Sequence, residues 1–561
     1  MTQRQKIEAL VGLLLGMFVA FLSSTVVSIA LPEIIKGLHG TTDQYTWVVT
    51  ATLLASTATT PIWGKFADLM SKKLLVQIAL TVFTLGSVLA GMSTSAGMLI
   101  GFRALQGLGL GGLQALVIIV IASMFSPRER GRYQGPIAAV MSIATVGGPL
   151  LGGVITDTSW LGWRWTFYVC VPLALIALVV IQRTLNVPTI RKENVSIDYL
   201  GAVLIGGGVV VLLIWVTLAG KSFPWASGRS YALAGLGAVL LVLAVLAEGK
   251  VLNRLLPGFL KVSDPIIPLR LFRDRTTTLA TLASVAVGVA LFGSAVFLGQ
   301  YFQLGRGYSP TVAGLLTLPM VGGSLIFSTV SGSLITRFGR WKIFLVTGGV
   351  LMTAGFALLS TIKGHTNMLL VGTFLFLLGA GMGMTMQNLV LPVQNSVPAE
   401  NLGVATSTVT FFRSLGGAAG VSVLGAVLAT HVKDLTLSGL QAMGATLAPS
   451  VGRAGALARV QECGAHLKAG IAGGLPADCE EVQRNAFGDG VPTIFLIAAV
   501  MAALALIAIL FIKEVRLKTM TPLEEQQQQA AEAMAGLAPE ESVEVVEAEL
   551  GLDKPRRGAT S

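Results

Sequence analysis

Two arginines stand where charge is costly. Arg103 and Arg413 each interrupt a long apolar run, and a guanidinium at that depth in a bilayer normally faces a partner or a water-filled cavity. No acid shares that depth: Glu8, Glu33, Asp43, Asp157, Asp198, Glu248 and Glu400 all fall near segment ends or in loops. Three readings therefore stand side by side. The arginines bond to carbonyls and polar side chains, or one holds an anionic or carboxylate-bearing substrate, or protons relay through a peripheral acid such as Glu33 or Asp43. The stretch FLSSTVVSIALP adds three adjacent hydroxyls, Ser23, Ser24 and Thr25, none of which titrates near neutral pH. Further candidates to line a cavity are Gln114, Gln300, Gln303, Gln387 and Asn388, with Trp47, Trp215, Phe411 and Phe412 as aromatic walls. Buried amides in lipid also seek each other, so helix–helix bonding competes with substrate binding. The four histidines are scattered, without an intramembrane acid, and supply no catalytic constellation. The sequence predicts neither an enzyme nor a cofactor.

The elements that must position these groups follow from composition. Of 561 residues, 53% are hydrophobic and only 12% charged, and the mean hydropathy is +0.77. A soluble domain carries about a quarter charged residues. Apolar runs long enough to span hydrocarbon lie near 7–31, 45–66, 74–93, 97–124, 135–156, 165–183 and 199–219. They continue near 231–248, 277–300, 311–335, 343–362, 368–392, 402–430 and 492–513. Backbone groups in lipid must be satisfied within the segment, so these are expected to be fourteen helices. The first is too long for a signal h-region and reads as a retained span.

An even count puts both termini on one side. Loops on that side carry Lys65, Lys72, Lys73, Arg128, Arg130, Arg132, Arg337, Arg340 and Lys342, among others, against few basic residues opposite. The positive-inside rule then makes both termini cytoplasmic, in the cell membrane. The net charge of +11 is mainly a topology signal; its residues are scattered along one membrane face, which argues against a nucleic-acid partner. Cys170 lies in an apolar span and reads as core packing. Cys463 and Cys479 share one long outer segment and are a disulfide candidate in an oxidising exterior. They lack the spacing and histidine partners of a metal site.

An internal echo links Gly64–Lys73 with Gly332–Lys342, each a tight turn after an even-numbered span, as in transporters built from two copies of one bundle. The expected organisation is a six-helix bundle over 1–185 and a two-helix insert over 186–250. An amphipathic inner-surface linker follows over 251–275. A second six-helix bundle covers 276–513 with a long outer loop 431–490, and an acidic, disordered tail covers 514–561.

Taken together, the motifs resemble the fourteen-helix drug:proton antiporter branch of the major facilitator superfamily, from about residue 7 to 513. Gly64 to Lys73 is similar to G-x-L-A-D-x-x-G-R-K, with Ser71 replacing the second glycine and Lys72 the arginine. Arg103-Ala104-Leu105-Gln106-Gly107 matches R-x-x-Q-G. Gly147-Gly148-Pro149-Leu150-Leu151-Gly152-Gly153 resembles the antiporter motif of the fifth helix, and Trp163-Arg164-Trp165 the start of the sixth. Leu22 to Pro32 fits the first-helix frame L-D-x-T-x-V-N-x-A-L-P, with Ser23 at the aspartate position and Ser28 at the asparagine.

The resemblance implies an all-α membrane fold of two bundles that rock about a central cavity. Gly64, Asp68, Lys72, Lys73, Arg337, Arg340 and the Gly147–Gly153 motif would act in gating, and Arg103 and Arg413 as buried charges in coupling. It implies a monomeric exporter of a small amphipathic substrate with protons as coupling ion. The missing aspartate keeps other readings open: a lipid or lipid-conjugate exporter using the 431–490 segment, or an anion-selective transporter or uniporter. No GxxxxGK[ST] is present, which argues against ATP drive.

Overall fold

The computed structural model describes residues 2–39, 42–158, 160–186, 198–220, 222–248, 265–469, 477–525 and 527–528. Most of the expected linker, much of the connection into the insert, and the tail beyond residue 528 lie outside those residues.

Fourteen long helices form the described part. The first six are α1 (Gln3–Gly37), α2 (Thr42–Leu69), α3 (Lys72–Gly91), α4 (Ala96–Met124), α5 (Pro127–Asp157) and α6 (Cys170–Thr184). The insert supplies α7 (Tyr199–Leu218) and α8 (Gly228–Glu248). Then come α9 (Arg275–Gln300), α10 (Leu318–Phe338), α11 (Lys342–Leu359), α12 (Met368–Thr385), α13 (Leu402–Ala469) and α14 (Ala477–Phe511). Caps mark many starts: Thr2 and Ser126 make capping boxes with Gln5 and Glu129, and Ser95, Asp198 and Asp274 each accept from the first turn they precede.

Thirteen of these stretches are long and apolar enough to cross a membrane, against the fourteen expected; α2 is the exception. It is 28 residues long, but Thr50, Thr52, Ser56, Thr57 and Thr60 lower its hydropathy. All five are buried, so the hydroxyls face protein rather than lipid.

The two halves pack alike. In the first, α2 lies on α4, α3 on α4, α1 on α5, and α6 on α1 and α3. In the second, α10 lies on α12, α11 on α12, α9 on α13, and α14 on α9 and α11. Each half has its own buried apolar core. A third cluster joins Leu54 of α2, Val209 and Leu213 of α7, Ala244 of α8 and Phe411 of α13. The insert thus rests where the two halves meet. Both ends of the described chain gather on one face: Lys6 lies 5.6 Å over the Phe125 ring, and Lys518 takes a bond from the Arg128 amide at 3.3 Å. We call this the terminal face.

Two expectations need correction. The segment 431–490 is helical in its described residues, not a loop. α13 continues through it with one break at Gly452 (φ 76°), and α14 begins at Ala477. Runs such as AGALARVQECGAHLKA are strong helix formers and propagate the helix beyond the bilayer. A Cys463–Cys479 disulfide closes this hairpin. Arg459 grips Asp478 beside it at 3.0 and 3.1 Å, holding that carboxyl below its ordinary range. The tail, expected to be disordered from 514, is instead docked over its first dozen residues. Trp341 donates to Glu514 and to the Val515 carbonyl, and Asn395 bonds both Arg516 and Lys518.

Candidate functional site

The intramembrane polar groups sort into one network in each half and two seams between the halves. In the first half, Arg103 is 3% exposed. Its guanidinium donates to Gln106 Oε1 at 2.5 Å and to the Val48 carbonyl at 3.4 Å. Gln106 then donates to Ser23 Oγ at 3.0 Å and to Ser87 Oγ at 2.7 Å. A chain of neutral partners therefore runs from α4 to α1 and α3. Thr52 of α2 closes it by donating to the Arg103 carbonyl. Ser23 itself is buried and is a link in this chain. Thr25 stitches α1 to α5 through the Ala144 carbonyl at 3.0 Å, and a Cβ on Gly148 would meet Thr25 Oγ1 at 2.0 Å. Ser24 is half-buried, and the exposed Ser28 bonds back to its carbonyl.

The second half holds a broken helix. After α12 the chain turns through Met386–Leu389 before a short helix, Val390–Ser396. Pro392 disfavours a continuous helix here. The Val390 amide turns to Gln387, not to Met386, and Arg413 of α13 donates to the freed Met386 carbonyl at 3.3 Å. Irregular backbone at membrane depth is tolerated where it is buried and bonded; Arg413 does the bonding. Asn388 donates to Ser331 Oγ and the Met384 carbonyl. Gln387 reaches the Met141 sulfur of α5 at 3.7 Å.

Other candidates lie apart from these networks. Phe411 and Phe412 pack into the cluster between α2, α13 and the insert rather than standing as free walls; Phe412 meets Phe272 edge-on. Trp215 bonds Ser230 inside the insert. Gln300 ends α9 beside the π-turn Tyr301–Gly305, and Gln114 is half-buried on α4. The side chain of Pro149 lies outside the description.

The seams lie at the terminal face. Asp68, at the end of α2, accepts the Gly403 and Val404 amides of α13 at 2.7 and 2.8 Å, an anion on a helix N-terminus. At the other seam, Arg128 of α5 donates to the Thr336 and Arg337 carbonyls of α10 at 3.0 Å each, a cation on a helix C-terminus. Backbones touch at both. A Cβ on Gly332 would meet the Gly131 carbonyl at 2.0 Å, and one on Gly403 the Gly64 carbonyl at 2.5 Å. Arg130 adds a bond to Gln394 at 2.9 Å.

Not every basic candidate joins a seam. Lys73 binds the Gln182 carbonyl within its own half at 2.6 Å. Arg337 contributes its carbonyl while its guanidinium lies over Phe338, Arg340 is exposed, and Lys72 stays within electrostatic reach of Asp68. Sequence reasoning missed Arg128, Gly131 and Gly403; the only signal for them was helix-start chemistry beside a glycine.

Comparison with known proteins fits this geometry. The sequence profile of the Major Facilitator Superfamily matches residues 13–421. The chain is 35% identical to the multidrug transporter protein MdtP of Bacillus subtilis over 76% of both chains. It is 32% identical to the efflux pump dotC of Dothistroma septosporum, over 91% of this chain and 84% of that one. An uncharacterized MFS-type transporter of Mycobacterium tuberculosis, Rv1877, is 36% identical over 90% of this chain and 69% of its own. Among solved structures, the proton:xylose symporter XylE superposes with a TM-score of 0.59 at 14% identity, over 94% of this chain and 100% of that one. The human organic anion transporter MFSD10 superposes with a TM-score of 0.56 at 14% identity, over 89% and 99%.

Proposed function

The chain belongs to the Major Facilitator Superfamily, and we propose that this multi-pass membrane transporter exports amphipathic small molecules from the cell in exchange for protons, its termini cytoplasmic. The observation that carries the mechanism is the pair of seams. Asp68 on the α13 amides and Arg128 on the α10 carbonyls join the halves by contacts that can be exchanged, as alternating access requires. Two separate apolar cores support residues 1–185 and 276–513 as the moving bodies. The insert rides at their junction. The names of MdtP and dotC support efflux of drug-like molecules. Arg103 is buried and spends its guanidinium on Gln106 and the Val48 carbonyl within the chain, so this reading does not require it as a substrate ligand.

The test is proton flux in inverted vesicles loaded with acid. Adding ethidium is expected to alkalinise the lumen, with no response in vesicles lacking the protein. A response to anionic amphiphiles alone, lost in Arg103→Gln, would replace this reading with anion transport. Labelled ethidium moving without proton flux would replace it with uniport.

A further inference from the structure

The chain that follows α14 lies on the terminal face as a peptide lies in a binding groove. From Lys513 to Thr519 it has no helix of its own, so its backbone groups depend on partners from elsewhere. Glu514 Oε1 accepts the Trp341 and Lys342 amides at 3.2 and 3.3 Å, a carboxylate set on the N-terminus of α11. Trp341 Nε1 donates to the Val515 carbonyl at 2.9 Å. The Asn395 side chain then reads the main chain twice. Its Nδ2 donates to the Arg516 carbonyl at 3.2 Å, and its Oδ1 accepts the Lys518 amide at 2.9 Å. Leu517, between those two residues, is buried in the apolar core of the second half, while Val515 and Arg516 stay exposed. Main-chain bonds for affinity and a pocketed side chain for selectivity are how proteins hold extended peptides.

The same stretch then crosses to the other half. The Lys518 carbonyl takes the Arg128 amide at 3.3 Å. Beyond it Thr521 and Glu524 cap one another at 2.8 and 3.3 Å, and Lys518 pairs with Glu525 at 2.6 Å. This turn brings Met520 and Pro522 to a cleft bounded by Pro127 and Arg130 of the first half and by Gln394 and Leu402 of the second. Residues 514–518 therefore grip one half, and 518–525 lie against both. A ligand that binds one state better than another shifts the protein toward that state, and these contacts exist together only while the halves meet on this face.

We propose that the groove formed by Trp341, Asn395 and the Arg128 amide is a peptide-binding site, filled by residues 514–525 of the same chain, and that its occupancy restrains opening of the terminal face. The ligand it takes is an extended peptide with an acid, an aliphatic residue three positions on, and a capped turn after it. The assignment goes beyond the export reading: it rests on movement of the halves, not on the direction of transport or the coupling ion.

The test is maleimide labelling of the full-length protein in lipid nanodiscs, with Ser328→Cys as reporter, a position buried between α10 and α5. The protein's own cysteines are buried or disulfide-bonded. Leu517→Asp and Glu514→Ala, each expelling the tail from the groove, are expected to label a few-fold faster. The synthetic peptide EVRLKTMTPLEE, residues 514–525, added in excess should return both to the original rate. It should fail to slow Asn395→Leu, which lacks the groove. Glu514→Ala leaves every apolar contact in place, so it reads the site even where Leu517→Asp folds poorly. Unchanged labelling in both tail variants overturns the proposal. So does faster labelling that the peptide does not reverse, which would make the tail ordinary packing, or slowing by the peptide in Asn395→Leu or by a scrambled peptide. Ethidium flux is read separately, and its loss in every chain would sink export while leaving the peptide site standing.

Discussion

Gln106 is the hinge of the first-half network, because one amide serves a cation on its carbonyl side and two hydroxyls on its amino side. Replacing it with leucine strips the Arg103 guanidinium of its shortest bond and leaves Ser23 and Ser87 without a donor. A hydrogen bond to a charged group contributes about 1.5–3 kcal/mol. Gln106→Leu is therefore expected to destabilise the protein by about 3 kcal/mol, read as a lower thermal midpoint in detergent, while Ser23→Ala costs about 1 kcal/mol. Equal effects from the two would show that Gln106 only fills space. At this scale the sequence was half legible. The cost of a buried guanidinium announced that Arg103 and Arg413 need partners, and Gln106, three residues on along one helix face, was readable as one. The Met386 carbonyl was not readable, since its freedom depends on a break that packing allows and only Pro392 hints at.

Helix ends explain why the seams close where they do. Asp68 meets the start of α13 and Arg128 the end of α10, so each charge faces the pole it complements. The glycines set the distance. Gly332→Ala would force a Cβ against the Gly131 carbonyl, backbone against backbone, at about 1–2 kcal/mol of strain in this state alone. A population shift of about tenfold follows from about 1.4 kcal/mol. Ser328 of α10 is buried and donates to the Gln134 carbonyl of α5 across the seam; maleimide labelling of Ser328→Cys should accelerate about tenfold in the Gly332→Ala background, with a smaller gain in Asp68→Asn. Unchanged labelling would mean that the seam gives way elsewhere. The Gly64/Gly332 echo was visible in the sequence because a tight turn after each span constrains residue type. Their counterparts Gly131 and Gly403 were not, because a glycine in a helix start has many uses. The helical 431–490 segment was misread for a related reason: a drop in hydropathy marks where the bilayer ends, not where the helix does.

At the scale of the whole molecule, the docked tail spans the closed seam. Glu514 and Val515 hold Trp341, Arg516 and Lys518 hold Asn395, and the Lys518 carbonyl takes the Arg128 amide from the other half. Polar composition argued against any docking, yet these partners lie over a hundred residues away in sequence, beyond the reach of local pattern. Energetically the strap is near balance. A handful of bonds at about 1 kcal/mol each is offset by about 1–2 kcal/mol of backbone entropy for every ordered residue. Its contribution is therefore selective rather than large, because the Arg128 bond survives only while the halves stay together on this face. A chain ending at Ile512 should unfold at nearly the same temperature as the full chain, yet label a few-fold faster at Ser328→Cys. Faster labelling with an unchanged midpoint would make the strap a bias on the conformational equilibrium. A lowered midpoint with unchanged labelling would make it ordinary packing on the second half, and the seams alone would then hold the terminal face shut.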